Sequence, residues 1–272
     1  MYVTHPSISD PREPGGRFGN QLFMIASTIG IAKFNDFKWA FKSWHNNKYF
    51  AKTLPVLPVL PDILHIPQVV NEKGFNYSPV ILPQTSLVHL SGYFQSPKYF
   101  NNAEEEVRDT FQFGDQKVKV KQAYDNAKLG ITCSISVRRT DYVKLQHIHP
   151  LQRDDYWVEA QRAIEEKMPI DSYIIFSDDT DWCKENIQLF KKTGKKVYIM
   201  KGTNSFDDFV MITLCNSHII VNSSFSWWAA WLDQKKDKVV VMPKMWFGPQ
   251  GPWSGPEDAE GKDLHVEGWI RI

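Results

Sequence analysis

The chain has 272 residues, of which 42% are hydrophobic and 23% charged, and its formal net charge is +1. This composition is that of a globular protein with a sizeable core, and the near-zero net charge argues against nonspecific nucleic-acid binding as the main activity. Three widely spaced cysteines without a CxxC pair exclude a disulfide framework and a cysteine zinc site. They indicate buried, reduced thiols.

The N-terminal segment lacks the basic and apolar regions of a signal peptide. No apolar run approaches the roughly 18 residues that a membrane-spanning helix needs. We therefore expect a cytoplasmic protein without a transmembrane segment. Peripheral attachment to the inner face of a membrane stays open.

The first half of the chain has an irregular pattern. Apolar residues between Gly19 and Phe34 recur at helical spacing and predict a helix. Short strands are predicted at residues 37–41 and 87–90, and a second helix at 103–111. Closely spaced prolines between residues 54 and 83 predict an extended connection over the core, with a proline-rich partner ligand as the alternative.

From Ile131 onward, strands and helices alternate regularly. Strands are predicted at residues 131–137, 173–176, 196–200, 217–221 and 239–242, with helices at 154–167, 181–192, 206–216 and 225–233. This alternation is typical of βαβ units in a parallel sheet. We predict an α/β fold with two Rossmann-like domains that face a cleft, formed by residues 1–128 and 129–272.

An arginine pair follows the first strand of this regular half. The strand delivers Arg138, Arg139 and Asp141 to its C-terminal end, where ligands of open α/β sheets bind. Two guanidiniums suit a planar, multi-oxygen anion such as a diphosphate, because each can form a bidentate contact. A surface ion-pair cluster is the alternative.

A glycine-rich loop precedes the first helix. Gly15 and Gly16 allow close approach of the backbone to a ligand, and the helix N-terminus adds free amides and partial positive charge. Arg17 and Asn20 add side-chain donors. A plain glycine turn before a capped helix is the alternative.

An acidic segment follows the strand at 173–176. Asp179 and Asp181 have the form of a DxD metal site for a divalent cation on nucleotide phosphates. Alternatively, Asp178 contacts a nucleobase edge while Asp179 or Thr180 caps the next helix. A capped helix start without a ligand also fits the pattern.

A serine-rich segment opens the helix at 225–233. Ser223, Ser224 and Ser226 could cap that helix, or their hydroxyls and the free amides could hold a phosphate. The tryptophans at 227 and 231 have the spacing of core packing. His147 and Asp141 are candidates for a general base.

Six segments, read in order, resemble the inverting α-1,2-type fucosyltransferases of glycosyltransferase family eleven. They are GGRFGNQLF at 15–23, GYFQSPKYF at 92–100, VRRTDY at 137–142, FSDDTDWCKEN at 176–186, NSSFSWWAAWL at 222–232 and PKMWF at 243–247. Parts of them also resemble α-1,6- and protein O-fucosyltransferases. The resemblance implies a GT-B fold, GDP-fucose as donor, an acceptor glycan, and neither a metal nor another cofactor.

The resemblance also implies roles for individual residues. Arg138, Asp141 and Asn20 would be catalytic, and the donor would be bound by Arg17, Phe18, Gly19, Arg139, Asp178, Asp179, Asn222, Ser223, Ser224 and Ser226. Two positions depart from the family pattern, with Ser136 in place of His and Thr140 in place of Gly. The alternatives are a metal-dependent GT-A-type transferase and a catalytically silent nucleotide- or sugar-binding protein.

Overall fold

The structure, a computed structural model, describes residues 1–8, 16–58, 67–200, 204–252 and 259–272. It divides into two compact units. Unit 1 comprises Met1–Gly114 and Lys262–Leu264, and unit 2 comprises Asp115–Gly261 and His265–Ile272. The sequence pattern predicts a boundary after residue 128. The helix Gln116–Asn126 belongs instead to unit 2, where Gln116 donates to the Asp207 carboxylate at 2.6 Å.

Unit 1 contains a four-stranded parallel sheet. Its strands are β1 (Tyr2–Thr4), β2 (Lys38–Trp39), β3 (Gln68–Asn71) and β4 (Leu87–Ser91), and its helices are α1 (Phe18–Phe34) and α2 (Glu104–Thr110). The strand order is β2-β1-β4-β3. The predicted helices and the strands near residues 37–41 and 87–90 are confirmed. Strand β3 was not predicted, because it lies in the proline-rich stretch, and it occupies a sheet edge.

Helix α1 is buried along most of its length. Apolar or small residues on nearly every side explain this burial, because such a helix can be covered all round. Gly30 allows the closest packing: a Cβ at this position would lie 2.1 Å from the carbonyl oxygen of Tyr99. Helix α1 is therefore a fixed support for the loop that precedes it. Gly15 and residues 59–66 of the proline-rich stretch lie outside the described residues.

Unit 2 contains a six-stranded parallel sheet in the order β10-β9-β8-β5-β6-β7. The strands are β5 (Thr132–Val137), β6 (Ser172–Ser177), β7 (Lys196–Ile199), β8 (Ser217–Ile219), β9 (Val240–Met242) and β10 (Ile270–Arg271). The helices are α3 (Gln116–Asn126), α4 (Asp154–Glu165), α5 (Thr180–Glu185), α6 (Ser205–Leu214) and α7 (Ser224–Leu232). The predicted βαβ alternation is confirmed. This is the strand order of a Rossmann-like sheet, and the order reverses between β5 and β8.

The two faces of β5 differ in chemistry. Cys133, Ile135 and Val137 pack in the hydrophobic core with α4. The alternate residues Ser134 and Ser136 lie on the opposite face, as expected from the period of two in a strand. The structure thus gives β5 one apolar and one hydroxyl-bearing face.

A buried polar network secures the hydroxyl-bearing face. Nε2 of His218 lies 3.0 Å from the Asp233 carboxylate just after α7, and Nδ1 lies 2.9 Å from the hydroxyl of Ser134. Because a carboxylate only accepts, Nε2 donates to Asp233 and the Ser134 hydroxyl donates to Nδ1. Burial lowers the pKa of His218. This network connects β5 and β8 to the C-terminal end of α7.

The three cysteines are buried and free, as predicted. Burial raises the pKa of each thiol. Within the described ranges, no helix has the length and apolar character required to span a membrane.

Candidate functional site

The carboxyl ends of β5 and β8 meet at the topological switch point of unit 2. In open parallel sheets this is where ligands bind, because the loops leave in opposite directions and open a crevice. The loop after β5 carries Arg138 and Arg139, and the loop after β8 carries Asn222 and Ser223. The fold therefore brings two of the predicted segments to one edge of the sheet.

Arg138 lies between two carboxylates. One terminal nitrogen, Nη2, lies 2.5 Å from Oδ1 of Asp141, and the other, Nη1, lies 2.7 Å from Oδ2 of Asp178. The guanidinium also lies 5.6 Å from the ring centroid of Tyr142. About a fifth of the Arg138 side chain is exposed. The guanidinium is thus held in position before any anion binds.

Arg139 is held by the loop after β6. Its guanidinium lies 4.0 Å from the ring centroid of Trp182, and its Nε lies 3.3 Å from the Asp179 carboxylate. Its backbone N–H donates to Oδ1 of Asp178 at 2.9 Å. The hydroxyl of Thr140 donates to Oδ2 of the same carboxylate. Asp178 therefore fixes the arginine loop through three successive residues.

The acids after Asp178 have separate tasks. Oδ1 of Asp179 accepts from the N–H of Trp182 at 3.1 Å and caps α5, as one of the open alternatives predicted. Asp181 is exposed and pairs with Lys184 at 2.7 Å. Across the described parts of the chain, no group of three or more His, Cys, Asp or Glu side chains could hold a metal ion. The DxD pattern thus corresponds here to a cap and a surface ion pair.

The N-terminus of α7 offers backbone donors at the switch point. Ser223 is the N-cap residue, but its side chain makes no capping hydrogen bond. The N–H of Trp227 donates to the carbonyl of Ser223 at 3.0 Å, so the first turn of α7 begins shortly after the end of β8. The N-terminus of a helix is in general a favourable place for an anion, because its dipole and first amides favour negative charge.

Two side chains of this segment that are predicted to bind the donor make hydrogen bonds within the protein. The Ser226 hydroxyl is buried and donates to the carbonyl of Ser223 at 3.1 Å. The Asn222 side chain is buried as well, accepts from Gln152 at 2.9 Å, and donates to the carbonyls of Pro150 and Trp246. Both side chains shape the loop from within rather than presenting polar atoms at its surface.

The glycine loop of unit 1 also precedes a helix N-terminus. Arg17 is the exposed N-cap residue of α1, and Phe18 stacks on Trp44 with ring centroids 6.3 Å apart. Oδ1 of Asn20 accepts from Gln95 at 2.9 Å. Gly16 has φ of +69°, and a Cβ there would lie 2.6 Å from Cβ of Asn20. Gly19 is buried in the first turn, and the roles expected of this loop toward a donor stay predictions.

Two residues of unit 2 were missed as ligand candidates. Oδ1 of Asp208, in the first turn of α6, and Oγ of Ser136, near the end of β5, are buried and make no hydrogen bond. Ser136 is the residue before the last one of β5, on its hydroxyl-bearing face, and Asp208 lies in the first turn of α6, the helix between β7 and β8. Burial, with the neighbouring Asp207 carboxylate, raises the pKa of Asp208 to about 6. An acidic pair within the apolar helix segment FDDF was the available sequence signal.

The two candidates for a general base, Asp141 and His147, lie in different surroundings. Asp141 is engaged by Arg138, and His147 is exposed in the loop that follows. His149 stacks on Tyr142 with ring centroids 4.7 Å apart. Asp141 is therefore placed to orient the guanidinium. The backbone carbonyl of His147 accepts from the N–H of Gln250 at 2.7 Å.

Solved structures share this fold. The protein named POFUT1, solved with GDP-fucose, matches with a TM-score of 0.55 and 9% identity, covering 89% of this chain and 97% of that one. NodZ α-1,6-fucosyltransferase, co-crystallised with GDP, has a TM-score of 0.55 and 11% identity, covering 85% and 92%. The predicted α/β fold of GT-B type is confirmed.

Curated relatives match at the level of sequence. An Escherichia coli α-1,2-colitosyltransferase is 30% identical over 189 residues, which cover 68% of this chain and 62% of that protein. Galactoside α-(1,2)-fucosyltransferase 1 of Ateles belzebuth is 25% identical over 235 residues, covering 80% and 64%. The chain thus spans about three fifths of the length of these relatives.

The family model extends across both units. The model described as glycosyl transferase family 11 matches residues 13–252, a range that includes the glycine loop, the arginine pair and the serine-rich helix start. The match agrees with the resemblance of the six sequence segments and with the parallel sheets that position them. The chain belongs to glycosyl transferase family 11.

Proposed function

We propose that the protein transfers L-fucose from GDP-β-L-fucose to a hydroxyl of an acceptor glycan, with inversion, forming an α-1,2 linkage to galactose. The observation that carries the proposal is that Arg138 follows β5 and the N-terminus of α7 follows β8, the two neighbouring strands at the switch point of a Rossmann-like sheet. Family membership and the names of the relatives support the reaction and the linkage.

The arginine loop would bind the diphosphate. As the bond from the anomeric carbon to the leaving oxygen breaks, negative charge grows on the β-phosphate. Arg138 and the first amides of α7 would stabilise this charge, and donors fixed in advance require no reorganisation during the reaction. Arg139 would add charge to the same anion site. In this proposal Asp141 and Asp178 position the guanidinium and take no part in proton transfer.

Asp208 and Ser136 would recognise the nucleobase. An ionised carboxylate with one unpartnered oxygen suits the neighbouring N–H groups of guanine, which are both donors. The Ser136 hydroxyl can donate to a carbonyl oxygen of the same ring system. We prefer Asp208 to the earlier candidates Asp178 and Asp179, because both of those carboxylates already accept hydrogen bonds from the protein.

The decisive experiment is incubation of the purified protein with GDP-fucose and a glycan array, with and without EDTA. We expect fucose on terminal galactose in both conditions, with the α-anomeric configuration by NMR of the product. Loss of transfer in EDTA would support the metal-dependent alternative. GDP binding without transfer to any glycan would support a silent binding protein. Parallel assays with the corresponding colitose donor test the sugar named by the colitosyltransferase relative.

A further inference from the structure

The sheet of unit 1 has a switch point of its own, between β1 and β4. His5 directly follows β1, Gly92 directly follows β4, and Glu72 follows the edge strand β3. Nε2 of His5 lies 2.8 Å from the carbonyl oxygen of Gly92, and the N–H of Tyr93 donates to Oε2 of Glu72 at 2.8 Å. Two side chains from the flanking strands thus hold the end of β4.

Each of these side chains has one buried atom without a hydrogen bond, namely Nδ1 of His5 and Oε1 of Glu72. His5 is only 1% exposed. Because a carbonyl oxygen only accepts, Nε2 carries the imidazole proton and Nδ1 has a lone pair. Burial lowers the pKa of His5 to about 4, so the ring is neutral at neutral pH. Both unpartnered atoms are therefore acceptors, and a buried acceptor without a donor is costly.

The two acceptors are on the same face of the sheet. Thr4 pairs with His89 and Asn71 pairs with Ser91, so the register, continued by one residue, sets His5 beside Leu90 and Glu72 beside Gly92. Leu90 and Gly92 are two residues apart and share a face. Gly92 has φ of +136°, and a Cβ there would lie 2.4 Å from Cβ of Glu72. The glycine therefore leaves room for the Glu72 side chain.

The segment after Gly92 is partly exposed. Tyr93, whose backbone N–H donates to Glu72, is 40% exposed. Polar atoms that converge at the carboxyl edge of a parallel sheet are a usual feature of a small-molecule site. Two acceptors require a ligand with several donors, and the hydroxyl groups of a sugar supply them without a charge.

We infer that Nδ1 of His5 and Oε1 of Glu72 accept hydrogen bonds from hydroxyl groups of the acceptor saccharide. The carboxyl edge of the unit 1 sheet, with Tyr93 beside it, is then the acceptor site. The inference rests on the proposed function, since it assigns the acceptor of that reaction to named residues.

Glu72→Gln tests the inference most directly. The amide oxygen can still accept from Tyr93, while the NH₂ group replaces Oε1 and turns an acceptor into a donor. With lactose as acceptor, we expect KM to rise about 10–100-fold, from the loss of a hydrogen bond to a charged group. We expect GDP affinity by calorimetry to stay unchanged.

His5→Gln is a second variant with the same expectation, because glutamine retains a donor for the carbonyl of Gly92 but lacks Nδ1. Glu105→Gln is the control, since it removes the charge of an exposed glutamate.

Binding of labelled protein to a glycan array without donor separates this inference from the proposed function. If the wild type binds galactose-terminated glycans and neither variant does, the result supports the site, even where no fucose is transferred. An unchanged KM in both variants, a parallel loss of GDP affinity, or a wild-type protein that binds no glycan on the array would overturn it.

Discussion

Nη1 of Arg138 lies 2.7 Å from Oδ2 of Asp178, across two neighbouring parallel strands. The same carboxylate accepts from the backbone of Arg139 and from the hydroxyl of Thr140. A single acid at the end of β6 therefore sets the conformation of the loop at the end of β5. This relationship makes Asp178 a positioning residue whose loss should affect catalysis through Arg138.

Asp178→Asn should lower kcat/KM for GDP-fucose by about 10–100-fold, because hydrogen bonds to charged groups contribute about 1.5–3 kcal/mol. The measurement is steady-state transfer at varied donor concentration. Thr140→Val is a milder variant for comparison, since it removes one neutral hydrogen-bond donor to Asp178. Its kcat/KM should fall by about 2–10-fold. Equal activity of Asp178→Asn and the wild type would contradict the positioning role.

Arg138→Ala should reduce kcat by about 10²–10³, the usual effect of removing one donor that stabilises developing charge. Arg138→Lys should restore little of this activity, because an ammonium cannot hold two oxygens in the planar geometry of a guanidinium. Arg153, 85% exposed and paired with Asp155, provides the matched control. Arg153→Ala should have wild-type kcat. Near-normal turnover of Arg138→Ala would refute the assigned role.

The affinity for GDP should depend on the ionisation of Asp208, whose pKa is raised to about 6. In the proposed function the ionised carboxylate accepts from guanine, so affinity should be full above pH 7. It should weaken below pH 6, by at most about tenfold per pH unit. Calorimetric titration between pH 5 and 8 measures this. Asp208→Asn should bind GDP more weakly and with little pH dependence, whereas an unaltered pH profile in that variant would exclude Asp208 as the titrating group.

His5 should make the protein less stable in mild acid. Its pKa is lowered by burial from 6.5 to about 4, so between these values the unfolded chain binds a proton that the folded chain does not. Stability is therefore lost as pH falls through this window. The free energy of unfolding should drop by about 2 kcal/mol from this group between pH 7 and pH 5. Urea titrations at both values measure it, and His5→Gln should lack that contribution.

Sequence patterns predicted strands β5 to β9 and helices α4 to α7 of unit 2, but not helix α3 or strand β10. Strands such as β5 and β6 are buried apolar runs bounded by turns, and each is followed by polar residues at a predictable edge. That is why Arg138 and Ser223 could be assigned to one side of a parallel sheet. The hydrophobic pattern did not predict strand β3, because an edge strand between prolines has no clear hydrophobic period.

The chain by itself determined the family, the alternation of strands and helices, and the edge of the sheet at which the arginine pair lies. Local spacing and residue type carry that information. Only the tertiary structure decided which polar groups are already satisfied and which are not. The side chains of Asp178 and Asn222 accept hydrogen bonds from residues far away in the sequence. Asp208 and His5 each have one buried atom without a hydrogen bond. Hydrogen-bond partners depend on the register of strands and the packing of helices, which no local pattern encodes.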